Sequence, residues 1–134
     1  MLFHKSILPF QTTLFIFVTL LGACSKDSSH IEKKAKLAGE KYQAQDLGAA
    51  AALYREILEE DGDRYAERIM LGKVLFFQRK FPEAIEQFQK ATDINAGRIE
   101  GFIWWAKTLS YTPTGTEEAL ITINKALSID PSNI

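Results

Sequence analysis

The chain is poor in the groups that catalysis most often uses. Histidine occurs only as His4 and His30, and cysteine only as Cys24. One thiol excludes an internal disulfide. So few imidazoles and thiols leave no set for a metal centre or a His-based nucleophilic triad. No glycine-rich phosphate loop is present. Charge of one sign is lacking too. Lys and Arg number 16 against 17 Asp and Glu, a net charge of -1 with the two signs interleaved, which argues against a nucleic-acid groove. The carboxylate pairs Glu59-Glu60 and Glu117-Glu118 are neighbours at expected helix ends and read as solvated surface. We therefore expect no enzyme and no cofactor. The 134 residues suit one domain of ordinary globular composition.

A long hydrophobic run is also missing. The stretch from Ile7 to Ala23 is broken by Pro9, Gln11, Thr12, Thr13 and Thr19. It falls short of the roughly 20 mostly apolar residues that a spanning helix needs. What is there reads as an export signal. His4 and Lys5 lie in a short leader without acidic residues, Leu14 to Val18 is strongly apolar, and Gly22 and Ala23 are small. Leu21-Gly22-Ala23-Cys24 resembles the lipobox of bacterial lipoproteins. That resemblance implies a diacylglyceryl group on the Cys24 thiol and cleavage between Ala23 and Cys24. Two alternatives stay open: an ordinary cleaved signal with a chance cysteine, and an uncleaved anchor. Two or three acyl chains hold a protein firmly, at roughly 0.8 kcal/mol per buried methylene. Residues 1–23 are thus expected to be a lipoprotein signal peptide, and the serine-rich stretch 24–30 a polar, flexible tether. Residue 25 is Ser rather than Asp, which by the same resemblance leans toward the periplasmic face of the outer membrane over the inner one.

The remainder repeats. A shift of 34 places Leu37 on Leu71, Leu47 on Phe81, Ala50 on Ala84 and Tyr54 on Phe88. A second such step places Gly72 on Ala106, Lys73 on Lys107 and Leu75 on Leu109. One residue enters the loop near Pro113, and beyond it a step of 35 places Ala84 on Ala119, Phe88 on Ile123 and Ala91 on Ala126. Within each unit the apolar residues follow helical spacing, as in Leu71, Gly72 and Leu75. The small residues Gly72 and Ala84 mark close helix crossings. Pro82 suits a first helical turn, Thr114 to Glu117 has capping-box spacing, Gly62 and Gly97 suit helix exits, and Pro131 ends the last period. These signals predict helices near 31–44, 47–60, 64–78, 82–95, 98–111 and 116–129.

The pattern Leu71-Gly72-…-Leu75-…-Phe81-Pro82-Glu83-Ala84-…-Phe88-…-Ala91 resembles the tetratricopeptide repeat, as does Ala119-Leu120-…-Ile123-…-Ala126 through Pro131. The resemblance implies an all-α fold, an α-solenoid of about three hairpins in a short right-handed superhelix. Its domain covers 31–134, with repeats near 31–64, 65–98 and 99–134. The first repeat is the least regular, with Lys34 and Lys41 at bulky positions, as terminal repeats often are. In the family the first helices of the hairpins line a concave groove. Carried over by position, the groove is Tyr42 and Gln43, then Ile69, Lys73, Phe76 and Phe77, then Ile103, Lys107, Ser110 and Tyr111. The helix at 64–78 is apolar most of the way round, more than one buried stripe requires. We expect an aromatic wall with Lys73 and Lys107 on its floor to receive an acidic or C-terminal peptide segment. The alternative is that these aromatics pack inside a compact bundle. The asparagines of the carboxylate-clamp members are missing, with Lys36, Met70, Trp104, Gly39, Lys73 and Lys107 in their places. Beyond the third repeat Leu120, Ile121 and Leu127 are left without a capping helix, for self-association, a partner, or plain exposure. The implied function is a membrane-anchored scaffold that binds another protein in an envelope assembly, secretion or cell-wall pathway. A structural subunit permanently buried in a larger complex is the alternative.

Overall fold

A computed structural model describes the backbone of residues 14–132 and the side chains of residues 28–132. Contacts divide the chain into two units, residues 1–33 and 34–134. In the first, the described backbone is helical from Leu14. Cys24 and the lipobox side chains lie outside the described residues. Helix α1 is Leu14–Gln43, so the stretch expected to be a flexible tether at 24–30 has helical backbone. Serine and lysine are acceptable helix formers when no proline or glycine interrupts them. Among the described residues no helix is long and apolar enough to cross a membrane.

The second unit holds the repeats. It runs from the end of α1 through α2 (Leu47–Glu60), α3 (Tyr65–Phe77), α4 (Phe81–Ile94), α5 (Ile99–Leu109) and α6 (Thr116–Ile129). No strand occurs among the described residues. These bounds lie within two residues of those the 34-residue period predicts, apart from the start of α1. Consecutive helices pack on one another from α2 onward, and α3 also touches α5. That is the arrangement of hairpins stacked in a row.

The seam is built from small residues under large ones. Ala50, Ala84, Ala91, Ile57 and Phe88 are fully buried. Each large buried side chain contributes roughly 1.5–3 kcal/mol. Gly72 lies under the Phe88 ring, where a Cβ would stand 2.4 Å from Cε1. Pro82 occupies the first turn of α4. Lys34, at a bulky position of the least regular repeat, is accommodated by pairing with Glu60 and with Glu56 at 3.3 Å on α2. The hydrogen bond that Lys34 donates to Glu60 does most to hold the lysine pKa above its ordinary value.

Helix ends depart from the expectation. Gly62 and Gly97 do not take the left-handed exit, since no glycine has positive φ among the described residues. The left-handed positions are Gln45 and Arg79, both at φ 61, which stand 34 apart at the hairpin turns. Around them Asp46 N–H donates to Lys41 O and Gln45 N–H to Tyr42 O, and Lys80 and Arg79 repeat the pattern on Leu75 and Phe76. This is the Schellman closure. The capping box at Thr114 does not form. Gly115 is the residue before α6, with no side-chain cap. A Cβ there would lie 2.2 Å from Leu109 O, so the backbones are too close for any other residue.

Candidate functional site

The C-terminal ends of α1 and α3, the start of α4 and the residues after α5 bring five aromatic rings together. Phe76 is the hub. Its ring meets Phe77 at 5.5 Å, Trp104 at 5.7 Å and Tyr111 at 5.2 Å, each edge to face, and Phe81 at 5.7 Å. Tyr42 reaches Phe77 at 6.2 Å, and Phe81 stacks on Tyr111 at 5.6 Å. Edge-to-face and offset pairs are worth roughly 0.5–1.5 kcal/mol beyond burial. Phe76 is buried, whereas Phe77 and Tyr111 are 50% and 56% exposed. Phe76, Phe77, Arg79, Phe81 and Tyr111 line an open depression of about 190 Å³.

The positions expected in one groove do not stay together. Tyr42, Phe76, Phe77 and Tyr111 come together in the wall. Ile69 does not reach the surface. It is 2% exposed, and its Cδ1 lies 3.6 Å from where a Cβ on Gly101 would be, so it serves as core between α3 and α5. Ile103, Lys107 and Ser110 instead face a second concavity, described below, and Gln43 is exposed near the turn.

The two lysines both reach Trp104 but differ in charge balance. Lys73 Nζ lies 5.1 Å from the ring centroid and donates to Glu100 Oε1 at 2.8 Å. Its charge is answered within the chain, so it is not the free carboxylate receiver the sequence suggests. Lys107 Nζ lies 4.5 Å from Trp104 and 5.4 Å from Phe76 and makes no ion pair among the described residues. A cation over an aromatic face gains roughly 0.5–1 kcal/mol at an exposed site. Trp104 is held in turn by stacking on Phe88 at 6.0 Å. Trp104, Phe81 and Arg79 escaped the sequence reading of the site. Phe81 was legible only as a repeat residue. In the sequence Trp104 stands out only as the replacement of a clamp asparagine. Arg79 enters the wall because its left-handed turn brings it round.

The second concavity lies along the α5/α6 hairpin. Ile103, Ala106, Lys107, Ser110, Ala119, Ile123 and Ala126 line about 370 Å³. Leu120, Ile121, Ile123 and Ile129 are exposed on α6, Leu120 at 60%, while Leu127 is half-buried. A buried polar contact ties the preceding hairpin to α5. Gly101 N–H donates to the Tyr65 hydroxyl at 3.0 Å, and Arg98 lies 4.3 Å from the Tyr65 ring. Burial pushes the Tyr65 hydroxyl above its usual pKa despite that hydrogen bond.

No protein-family model matches the chain, and no curated protein does. Solved structures do. The chain is similar to YrrB, described as a TPR protein with an unusual peptide-binding site, at 21% identity and a TM-score of 0.72, over 77% of this chain and 53% of that one. It thus spans about half the length of YrrB. It is similar to the first TPR of Spaghetti (RPAP3) bound to an HSP90 peptide, at 14% identity and a TM-score of 0.71, over 78% of this chain and 82% of that one. It is also similar to the Yersinia enterocolitica type III secretion chaperone SycD in complex with a peptide of the translocator YopD. There the identity is 15% and the TM-score 0.74, over 78% of this chain and 79% of that one. At these identities the likeness establishes the fold, a stack of tetratricopeptide-like helical hairpins.

Proposed function

We propose that the chain is a protein-interaction scaffold that takes a segment of a partner protein against the wall of Tyr42, Phe77 and Tyr111. The observation that carries this reading is the exposure of Phe77 and Tyr111 around a buried Phe76. Large rings left half in water gain most from an apolar partner, and such anchors dominate binding energies. Arg79 in the lining of the same depression favours a segment with a carboxylate. The solved structures with bound peptides are relatives in fold, and they support a binding role over a catalytic one.

The scaffold is further proposed to be exported and tethered through a lipid on Cys24, on the periplasmic face of a bacterial envelope membrane, the outer more than the inner. The pattern Leu21-Gly22-Ala23-Cys24 after an apolar run supports this. Two acyl chains at roughly 0.8 kcal/mol per methylene make such a tether stable without a spanning helix.

The binding half is tested with a tagged Phe77→Ala, Tyr111→Ala protein recovered from its own cells. Loss of the partner that the unaltered chain recovers supports the wall, and undiminished recovery refutes it. The tether is tested by growth in labelled palmitate. Label on the chain that disappears in Cys24→Ser supports it, and label persisting or absent in both removes it.

A further inference from the structure

The repeats place the second concavity in register with a surface that is already occupied. A step of 34 carries Ile69 to Ile103 and Lys73 to Lys107, and a step of 35 carries Phe88 to Ile123 and Ala91 to Ala126. Ile69, Phe88 and Ala91 are at most 2% exposed. Helix α5 covers the first two: Gly101 sits against Ile69, and Trp104 stacks on Phe88 at 6.0 Å. Ile103 and Ile123, the equivalents of Ile69 and Phe88, are each 38% exposed, while Ala126, the equivalent of Ala91, is 2% exposed. The last hairpin thus repeats a helix seat with no described helix in it.

The occupied seat also shows what its occupant looks like. Glu100, in the first turn of α5, accepts from Lys73 at 2.8 Å. Gly101 follows at the close crossing, where a Cβ would meet the Thr92 methyl at 2.9 Å, and Trp104 is the ring that covers Phe88. Lys107 stands where Lys73 does and has no carboxylate among the described residues.

We propose that the face of the α5/α6 hairpin is a docking seat for an amphipathic helix of another protein. That helix carries an acidic residue, then a small one, then an aromatic three positions further on. The carboxylate meets Lys107, the small residue allows close approach over Ile103, and the ring covers Ile123. A second copy of this chain is the poorer occupant. Among its described helices the acidic, small and aromatic order occurs only in α5, whose face is already engaged. This seat is separate from the wall of Phe77 and Tyr111 and does not rest on it.

The test uses the full chain in detergent micelles and, as probe, a helix-stapled synthetic peptide with the sequence of residues 98–110. Binding is read by fluorescence anisotropy, and its place by amide shifts along α6. Shifts concentrated between Ala119 and Ala126 are expected. Lys107→Glu is expected to weaken binding about tenfold, and a peptide carrying Lys in place of its Glu to recover most of that loss. Ile123→Glu, at an exposed position, is expected to abolish binding while the thermal melt stays unchanged. Phe77→Ala is expected to leave it intact, which separates this seat from the wall. No binding at peptide concentrations on the order of 0.5 mM overturns the proposal. So does binding indifferent to the Lys107 charge, or a dimer of the chain that Ile123→Glu dissolves.

Discussion

Replacing Gly72 by Ala tests the seam at its tightest point. The added Cβ would lie 2.4, 2.7 and 2.8 Å from Cε1, Cζ and Cδ1 of Phe88. Carbon atoms sit comfortably at about 3.5–4.0 Å, so the ring has to retreat by about 1 Å. It has nowhere to go. Phe88 is fully buried, Ala84 and Ala91 on its own helix are too, and Trp104 stacks on it at 6.0 Å. Overpacking of this kind costs about 1–3 kcal/mol. Against it stands the better helix propensity of Ala over Gly, about 0.5–1 kcal/mol. The net is a loss on the order of 1 kcal/mol, a fall in melting temperature of about 4–8 °C for a unit of this size. Circular dichroism at the helix band reads it. Shrinking the neighbour supplies the control. In a Phe88→Leu background the same Gly72→Ala change is expected to be neutral or stabilising. A rise in the melting temperature of the unaltered chain on Gly72→Ala, or an effect equal in both backgrounds to within about 0.5 kcal/mol, would refute this packing.

Three further outcomes follow. Tyr65→Phe removes the acceptor of the buried Gly101 N–H and is expected to destabilise by about 1–3 kcal/mol in a denaturant titration. Burial holds the Tyr54 and Tyr65 hydroxyls above their ordinary pKa of 10.0. The folded chain therefore favours their neutral forms, and that stability is complete below pH 10 and lost as pH rises through the raised values. Melting temperature is expected to fall steeply above pH 10, and less steeply once Tyr54 is replaced by Phe. Gln45→Gly places glycine at the left-handed turn, φ 61, and is expected to raise stability by about 0.5–1 kcal/mol in the same melts.

The repeat was legible because helical spacing, small crossing residues and a fixed period all point to one answer. Leu71, Gly72, Ala84 and Phe88 declare their packing partners by position alone. The helix ends were less legible, because closure depends on backbone geometry that glycine signals only loosely. Gln45 and Arg79 adopt the left-handed turn that Gly62 and Gly97 were expected to take. Gly115, not Thr114, precedes α6 because Leu109 O crowds it. The site was legible as a face and not as a set of contacts. Spacing puts Ile69 and Phe77 on one helix, but only the approach of α5 shows that Ile69 is covered and Phe77 open. Likewise the matching positions of Lys73 and Lys107 hide that Glu100 answers one of them and not the other.

That a partner segment lies against the exposed rings is tested most directly by a photoreactive amino acid placed in cells at Phe77, Tyr111 or Arg55, the last lining a separate concavity with Glu83 and Lys90. Cross-links are expected from positions 77 and 111 to one and the same stretch of one partner, with none from 55. Equal cross-linking from all three positions, or none from 77 and 111, would contradict it.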